Sequence, residues 1–214
     1  QASTSGVCGD LEVHTLKEQY WGNVNPIVLW ACYDEGKRCA ETLFFDYHRQ
    51  HGIKIKVARI FNTYGPRMRI DDGRVVSNFI VQALRNEDIT IYGDGTQTRD
   101  FTFVTDVVDA IIAAAESEIS GEIINIGSNN TYSINRLVEL LGGEITYIPK
   151  RPGEPDCTWA DITKATQLLD WEPKVSLEEG VDILLNNMEY WADAPLWDEK
   201  SIAKATKSWF KYLN

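Results

Sequence analysis

The chain has 214 residues, enough for one large domain or two small ones, and its 43% hydrophobic and 25% charged content is ordinary for a globular protein. A formal net charge of −11 argues against nonspecific nucleic-acid binding, which needs clustered Lys and Arg, and no apolar run approaches the roughly 20 residues that span a bilayer. Four cysteines without a C-x-x-C pair and three scattered histidines offer no metal site, so reduced thiols in a cytoplasmic protein are expected.

In chain order, residues 2–9 read as the end of a strand entering a loop, and residues 10–30 are irregular, with Gly22 and Pro26 as breakers. No signal peptide is visible, and the lack of an initiating Met leads us to expect a fragment or a processed chain. A helix is expected over about 31–50, with Ala40, Leu43, Phe44 and Tyr47 as its apolar face and Gly52 as its stop. Ile53 to Phe61 reads as a strand and Asn62 to Gly73 as a loop. Val76, Phe79, Ile80, Ala83 and Leu84 mark a second helix, and Ile89 to Tyr92 a short strand closed by Gly93-Asp94-Gly95. Thr105 is placed as the cap of a third helix whose face is Val108, Ile111, Ile112 and Ala115. Glu122 to Ile126 is another strand. Ser133 caps a helix over 134–141 that Gly142-Gly143 stops, and Ile145 to Ile148 is a further strand. Pro149 to Asp156 is loop, Ser176 and Glu179 form a capping box for a helix, and the last 17 residues are a docked helix or a frayed tail. Strands alternating with helices predict an α/β fold with mostly parallel pairing.

The most informative spacing is Tyr33-x-x-x-Lys37. On a helix these two side chains share one face, roughly 5–6 Å apart at Cβ. Free tyrosine titrates at about 10, and a neighbouring ammonium favours the phenolate, which makes the pair a candidate acid–base group. No G-x-G-x-x-G or G-x-x-G-x-x-G turn opens a strand–helix unit in these residues, so the phosphate-cradling half of a dinucleotide fold is not in this sequence.

Four ordered blocks carry a family resemblance: Ser3-Thr4-Ser5, Tyr33-x-x-x-Lys37, the run from Arg59 to Pro66, and the run from Tyr92 to Phe101; Arg151-Pro-Gly-Glu154 and Ala160-Asp161 follow. Over nearly its whole length the chain resembles the C-terminal two-thirds of the extended short-chain dehydrogenase/reductases, the NAD-dependent epimerase/dehydratase family that acts on nucleotide sugars. Within it, the loops Tyr20 to Ile27 and Pro66 to Phe79 look most like those of the UDP-glucuronic acid decarboxylases.

The resemblance implies a partial doubly wound, Rossmann-like parallel sheet plus a smaller α/β C-terminal region. Residues 1–66 would complete the dinucleotide-binding domain. Residues 67–214 would bind mainly the nucleotide sugar, with about 100–130 returning to the sheet. It implies NAD as cofactor, a UDP-sugar as substrate and a homodimer. Thr4 matches the hydroxyl that bonds the sugar hydroxyl being oxidised, Tyr33 the base, and Lys37 the residue that holds the nicotinamide ribose and lowers the tyrosine pKa. Phe61 and Asn62 match positions beside the nicotinamide and the substrate diphosphate. Arg99 and Arg151 match a pair of arginines that hold the diphosphate, Glu154 matches an acid on the uridine ribose, and Val76, Ile91 and Tyr92 lie where uracil and ribose pack. Bidentate, permanently charged guanidinium groups suit a diphosphate.

The implied reaction oxidises sugar carbon 4 and releases carbon dioxide from the resulting β-keto acid; a UDP-sugar 4-epimerase and a non-catalytic UDP-sugar-binding protein are the alternatives. Three departures stand out. The family pattern Ser-Thr-Ser-Glu-Val-Tyr-Gly reads Ser3-Thr4-Ser5-Gly6-Val7-Cys8-Gly9 here, so Gly6 replaces an acid. Ile-Gly-Pro-Arg has become Ile27-Val28-Leu29-Trp30, and the segment from Arg151 to Asp161 looks more like an epimerase. Without the glycine turn, a calorimetric titration is expected to show these residues alone binding NAD weakly.

Overall fold

The fold is that of a computed structural model, which describes residues 1–9, 15–27, 31–69, 74–150, 154–195 and 199–212. Its centre is a three-stranded parallel sheet of β1 (Ala2–Thr4), β2 (Lys56–Ile60) and β7 (Glu122–Ile126), in the order β1-β2-β7. The register puts Thr4 beside Ile60, and Ile60 beside Ile126, so the carboxyl ends of the three strands form one edge. Three small pairs extend from it. β3 (Asn62–Tyr64) runs parallel to β6 (Phe101–Phe103), β4 (Ile89–Tyr92) parallel to β9 (Ile145–Ile148), and β5 (Thr98–Arg99) antiparallel to β8 (Tyr132–Ser133). The helices are α1 (Ala31–His51), α2 (Val75–Leu84), α3 (Val104–Glu116), α4 (Ile134–Leu141), α5 (Thr163–Leu169), α6 (Leu177–Leu185) and α7 (Glu199–Tyr212). This is the expected α/β architecture. No helix among the described residues is long and apolar enough to cross a membrane.

Two apolar clusters hold these elements. One joins Phe79 and Ile80 of α2, Ile89 and Ile91 of β4, Leu137 of α4 and Leu184 of α6 around Tyr64, Phe101 and Phe103. The other packs Ile124 and Ile126 of β7 against Val107 and Ala110 of α3, Ala165 of α5, and Trp171. Each large side chain so enclosed stabilises by about 1.5–3 kcal/mol. Gly180 of α6 is a packing requirement: a Cβ there would overlap the Tyr64 hydroxyl.

The locally signalled elements form as expected. Ser133 accepts from the Arg136 N–H to start α4, and Ser176 and Glu179 close a reciprocal box on α6. Gly52 follows α1 at φ 64°, the left-handed conformation that ends a helix. Other expectations need correction. Thr105 does not cap α3. The cap position is Phe103, without a side-chain bond, and the buried face is Asp106, Val107, Ala110 and Ala114. Val108, Ile111 and Ile112 are exposed, because the alanine stripe lets α3 lie close on the sheet. The loop expected from Asn62 begins instead as β3, paired with β6, and α5 lies where no element was expected. On α1, Leu43 and Tyr47 of the expected face are 52% and 56% exposed.

What faces inward on α1 is a charge. Glu41, 7% exposed, takes a bidentate bond from Arg59 of β2, with Nε to Oε1 at 3.0 Å and Nη2 to Oε2 at 2.8 Å. The Ser3 hydroxyl of β1 donates to the same Oε1 at 2.5 Å, and Arg59 Nη1 donates to the Glu18 carbonyl at 3.2 Å. Breaking a buried pair by removing one partner typically costs about 3–5 kcal/mol, because the other charge is stranded. Glu41→Ala should therefore lose about that much in urea unfolding, and Glu41→Leu with Arg59→Met together should lose clearly less than the single change. Equal losses would show that the charges are not coupled.

Candidate active site

The helix α1 sets Lys37 against β1, with Tyr33 one turn before it. Tyr33 is 56% exposed, with its ring open to the surface, and Lys37 Nζ stands 5.8 Å from the centre of that ring. Lys37 Nζ also donates to the Ala2 carbonyl at 3.0 Å, which ties the first turns of α1 to β1. Two residues on, Thr4 ends β1 with extended backbone, and its hydroxyl accepts from the Gly6 N–H at 3.2 Å. That bond starts the single tight turn over Ser5–Cys8. Lys37 thus lies against the strand that Thr4 ends, with Tyr33 one helical turn before it.

Gly6 decides what else lies near Thr4. A Cβ built on Gly6 would overlap the Asp34 carboxylate at Oδ1, lying 3.2 Å from its carboxyl carbon and 3.5 Å from the Thr4 methyl. The Asp34 carboxylate therefore occupies the place where a side chain at position 6 would start. Burial first, then the neighbouring Glu35 charge, raise the Asp34 carboxyl above its ordinary range. Sequence reasoning missed Asp34, since the signal is the emptiness of Gly6, which only the fold brings against it.

A second group gathers at the ends of β2 and β7. Phe61 is buried directly after β2, its N–H bonded to the Ile126 carbonyl at 3.0 Å. Asn62 is exposed, and its Oδ1 accepts from the Thr158 hydroxyl at 3.1 Å. Thr158 in turn accepts from the Asp100 N–H at 3.1 Å, and its own N–H donates to the Thr98 carbonyl. This brings Asn62 into one network with the strand that carries Arg99. Arg99 is 8% exposed and donates from Nη1 to the Thr98 carbonyl at 2.8 Å.

Asp100 anchors the same region. It is fully buried and accepts from the N–H groups of Ser128 at 2.6 Å and Ala160 at 3.0 Å, and from the Thr102 hydroxyl. Burial raises its carboxyl above the usual range against those lowering bonds.

Val76 and Ile91 lie inside the first apolar cluster, 3% and 0% exposed, while Tyr92 and Glu154 are half-buried. Arg151 lies outside the described residues, as do Val28, Leu29 and Trp30. Gly6 with Asp34, and the Asn62–Arg99 network, follow the carboxyl ends of β1 and β2, the usual place for ligands on an open parallel sheet.

Several known proteins are similar to this chain. The family model described as GDP-mannose 4,6 dehydratase matches residues 1–184. UDP-glucuronic acid decarboxylase 5 of Arabidopsis thaliana is 54% identical over 188 residues, which are 85% of this chain and 55% of that protein. UDP-glucuronic acid decarboxylase 1 of Xenopus tropicalis is 50% identical over 187 residues, 85% of this chain and 44% of that protein. The chain thus spans about half the length of the curated relatives it matches. Among solved structures, UDP-glucuronic acid 4-epimerase from Bacillus cereus, in complex with UDP-glucuronic acid and NAD, superposes with a TM-score of 0.79 at 34% identity, over 90% of this chain and 60% of that one. UDP-glucose 4-epimerase from Thermotoga maritima with UDP-glucose gives 0.79 and 34%, over 90% and 62%.

Because only the mobile end of Asp34 obstructs position 6, Gly6→Ala should be tolerated. We expect a cost of about 0.5–1.5 kcal/mol, the scale of a strained rotamer, in thermal or urea unfolding. A loss of several kcal/mol would mean that backbone, not Asp34, fills that space.

Proposed function

The chain belongs to the extended short-chain dehydrogenase/reductase family of NAD-dependent epimerases and dehydratases, and on that premise we propose that the polypeptide carrying it converts UDP-glucuronate to UDP-xylose and carbon dioxide through a 4-keto sugar. What supports this reading is the Tyr33–Lys37 pair on α1, with Lys37 bonded to the strand that ends in Thr4, in a chain 54% identical to a UDP-glucuronic acid decarboxylase.

The residues present suit the nicotinamide-ribose end of NAD. An ammonium has three N–H donors; Lys37 uses one on the Ala2 carbonyl, which leaves two for the paired hydroxyls of a ribose. Phe61 offers an apolar floor at the neighbouring strand end. When bound, NAD supplies a reversible hydride acceptor at sugar carbon 4.

The chain's own residues then do the following. Tyr33 takes the proton of the carbon-4 hydroxyl, and Thr4 holds the same hydroxyl by a hydrogen bond. Lys37 stands beside the phenol that takes this proton. The ketone formed is β to the carboxyl carbon, so carbon dioxide leaves with its bonding pair delocalised onto the ketone oxygen. Tyr33 returns its proton to the carbon-4 oxygen when the ketone is reduced. Asn62, Arg99 and Arg151 hold the diphosphate, and Glu154 and Tyr92 hold the uridine end.

A 4-epimerase is the second reading, favoured by the epimerase-like segment from Arg151 to Asp161 and by the solved 4-epimerases that superpose on the chain. Product analysis separates the two. With UDP-glucuronate and NAD we expect UDP-xylose and carbon dioxide, and Tyr33→Phe should slow their formation by about 10²–10⁴-fold while UDP binding is kept. UDP-galacturonate without carbon dioxide would contradict the decarboxylase reading.

A further inference from the structure

The redox half of this chemistry uses Tyr33, Lys37 and Thr4, but loss of carbon dioxide raises a separate demand. When the bond between sugar carbons 5 and 6 breaks, its electron pair leaves an enolate across carbons 4 and 5, and carbon 5 must gain a proton. The proton that Tyr33 has taken is needed again at the carbon-4 oxygen. A second donor is therefore required one carbon along the ring.

The site contains a group of that kind. Asp34 follows Tyr33 on the first turn of α1, and its carboxylate fills the space that Gly6 leaves open, on the same side as the Thr4 methyl. It is half-buried, and no hydrogen bond or ion pair joins its carboxylate to another described residue. The other nearby charged groups are engaged: Glu35 faces Arg38 at 3.7 Å, Arg38 donates to the carbonyls of Val7 and Trp21, and Lys37 holds Ala2. We propose that Asp34 is a second acid–base group of this site, and that it delivers the proton to carbon 5 as carbon dioxide leaves. The inference rests on the decarboxylase reading and deepens it. In balance, the bond from carbon 5 to carbon 6 breaks, carbon dioxide departs, and the Asp34 carboxylic proton forms the new C–H bond. The carbonyl at carbon 4 is restored, and the carboxylate left on Asp34 recovers a proton from solvent. Burial and Glu35 favour the protonated, donating form of Asp34. A longer side chain at position 6 would displace this carboxylate, so in this chain the glycine is what admits it.

The test is the reaction of the natural polypeptide with UDP-glucuronate and NAD in deuterium oxide, with the product read by NMR and NADH by absorbance. The unaltered protein should place one deuterium at a single position on carbon 5. Asp34→Asn should slow UDP-xylose formation by about 10²–10⁴-fold, accumulate NADH because hydride transfer persists, and scatter deuterium over both carbon-5 positions. Asp34→Glu should restore part of the rate, and Gly6→Ala, which pushes Asp34 aside, should scatter the label in a folded protein. Product formed by Asp34→Asn at the normal rate with label at one position would overturn the proposal. So would equal impairment of the Asn and Glu variants with no NADH build-up, the mark of a purely structural role. An unaltered protein that releases no carbon dioxide contradicts the decarboxylase reading itself, and the proposal falls with it.

Discussion

A buried ion pair sets the geometry of this site. Arg59 on β2 grips Glu41 on α1 with two hydrogen bonds, and Ser3 on β1 binds the same carboxylate. Burial works against the Arg59 charge, yet the bonds and charge of Glu41 outweigh it and hold its pKa above the ordinary arginine value. Such a pair adds little net stability over apolar packing, but it tolerates no slippage: a helix shifted by one residue would strand both charges. Glu41 lies four residues beyond Lys37 and eight beyond Tyr33, on the helix that carries both. Fixing Glu41 against Ser3 and Arg59 therefore fixes the phenol and the ammonium relative to Thr4, one residue beyond Ser3. The exposed Leu43 and Tyr47 make the same point from the other side, since that face of α1 is not what holds it to the sheet.

The second half of the edge is built differently. Asp100, fully buried, gathers the N–H groups of Ser128 and Ala160, while Thr158 links its backbone to Asn62. Segments far apart in sequence are thereby brought to the ends of β2 and β7. The two constructions meet because β1 and β2 are neighbours in register, Thr4 beside Ile60 with Phe61 and Asn62 following. The Asn62 network thus begins beside the strand that Thr4 ends.

Much of this was legible from residues alone, where the governing physics is local. The caps of α4 and α6 were readable because Ser133, and Ser176 with Glu179, bond donors three residues away. The Tyr33–Lys37 pair was readable because helical spacing places both on one face. What was hidden depends on partners distant in sequence. β3, β5, β6 and β8 are two or three residues long and exist only through their pairing. The buried face of α3 was misassigned to Val108, Ile111 and Ile112 because hydrophobicity outranked fit, while the sheet accepted the smaller Ala110 and Ala114. Glu41 reads in the sequence only as one more charge on a helix, because its partners Ser3 and Arg59 are 38 and 18 residues away. Asp34 had no signal of its own, because its placement follows from a side chain that Gly6 lacks.

The central claim is that one corner places the tyrosine base and the threonine hydroxyl on a single sugar hydroxyl. A crystal structure of the natural polypeptide with NAD and UDP-xylose tests it most directly. The account predicts the Tyr33 and Thr4 hydroxyls both within about 2.6–3.2 Å of the carbon-4 oxygen. A sugar ring bound elsewhere, with the Tyr33 hydroxyl turned to solvent, would contradict it.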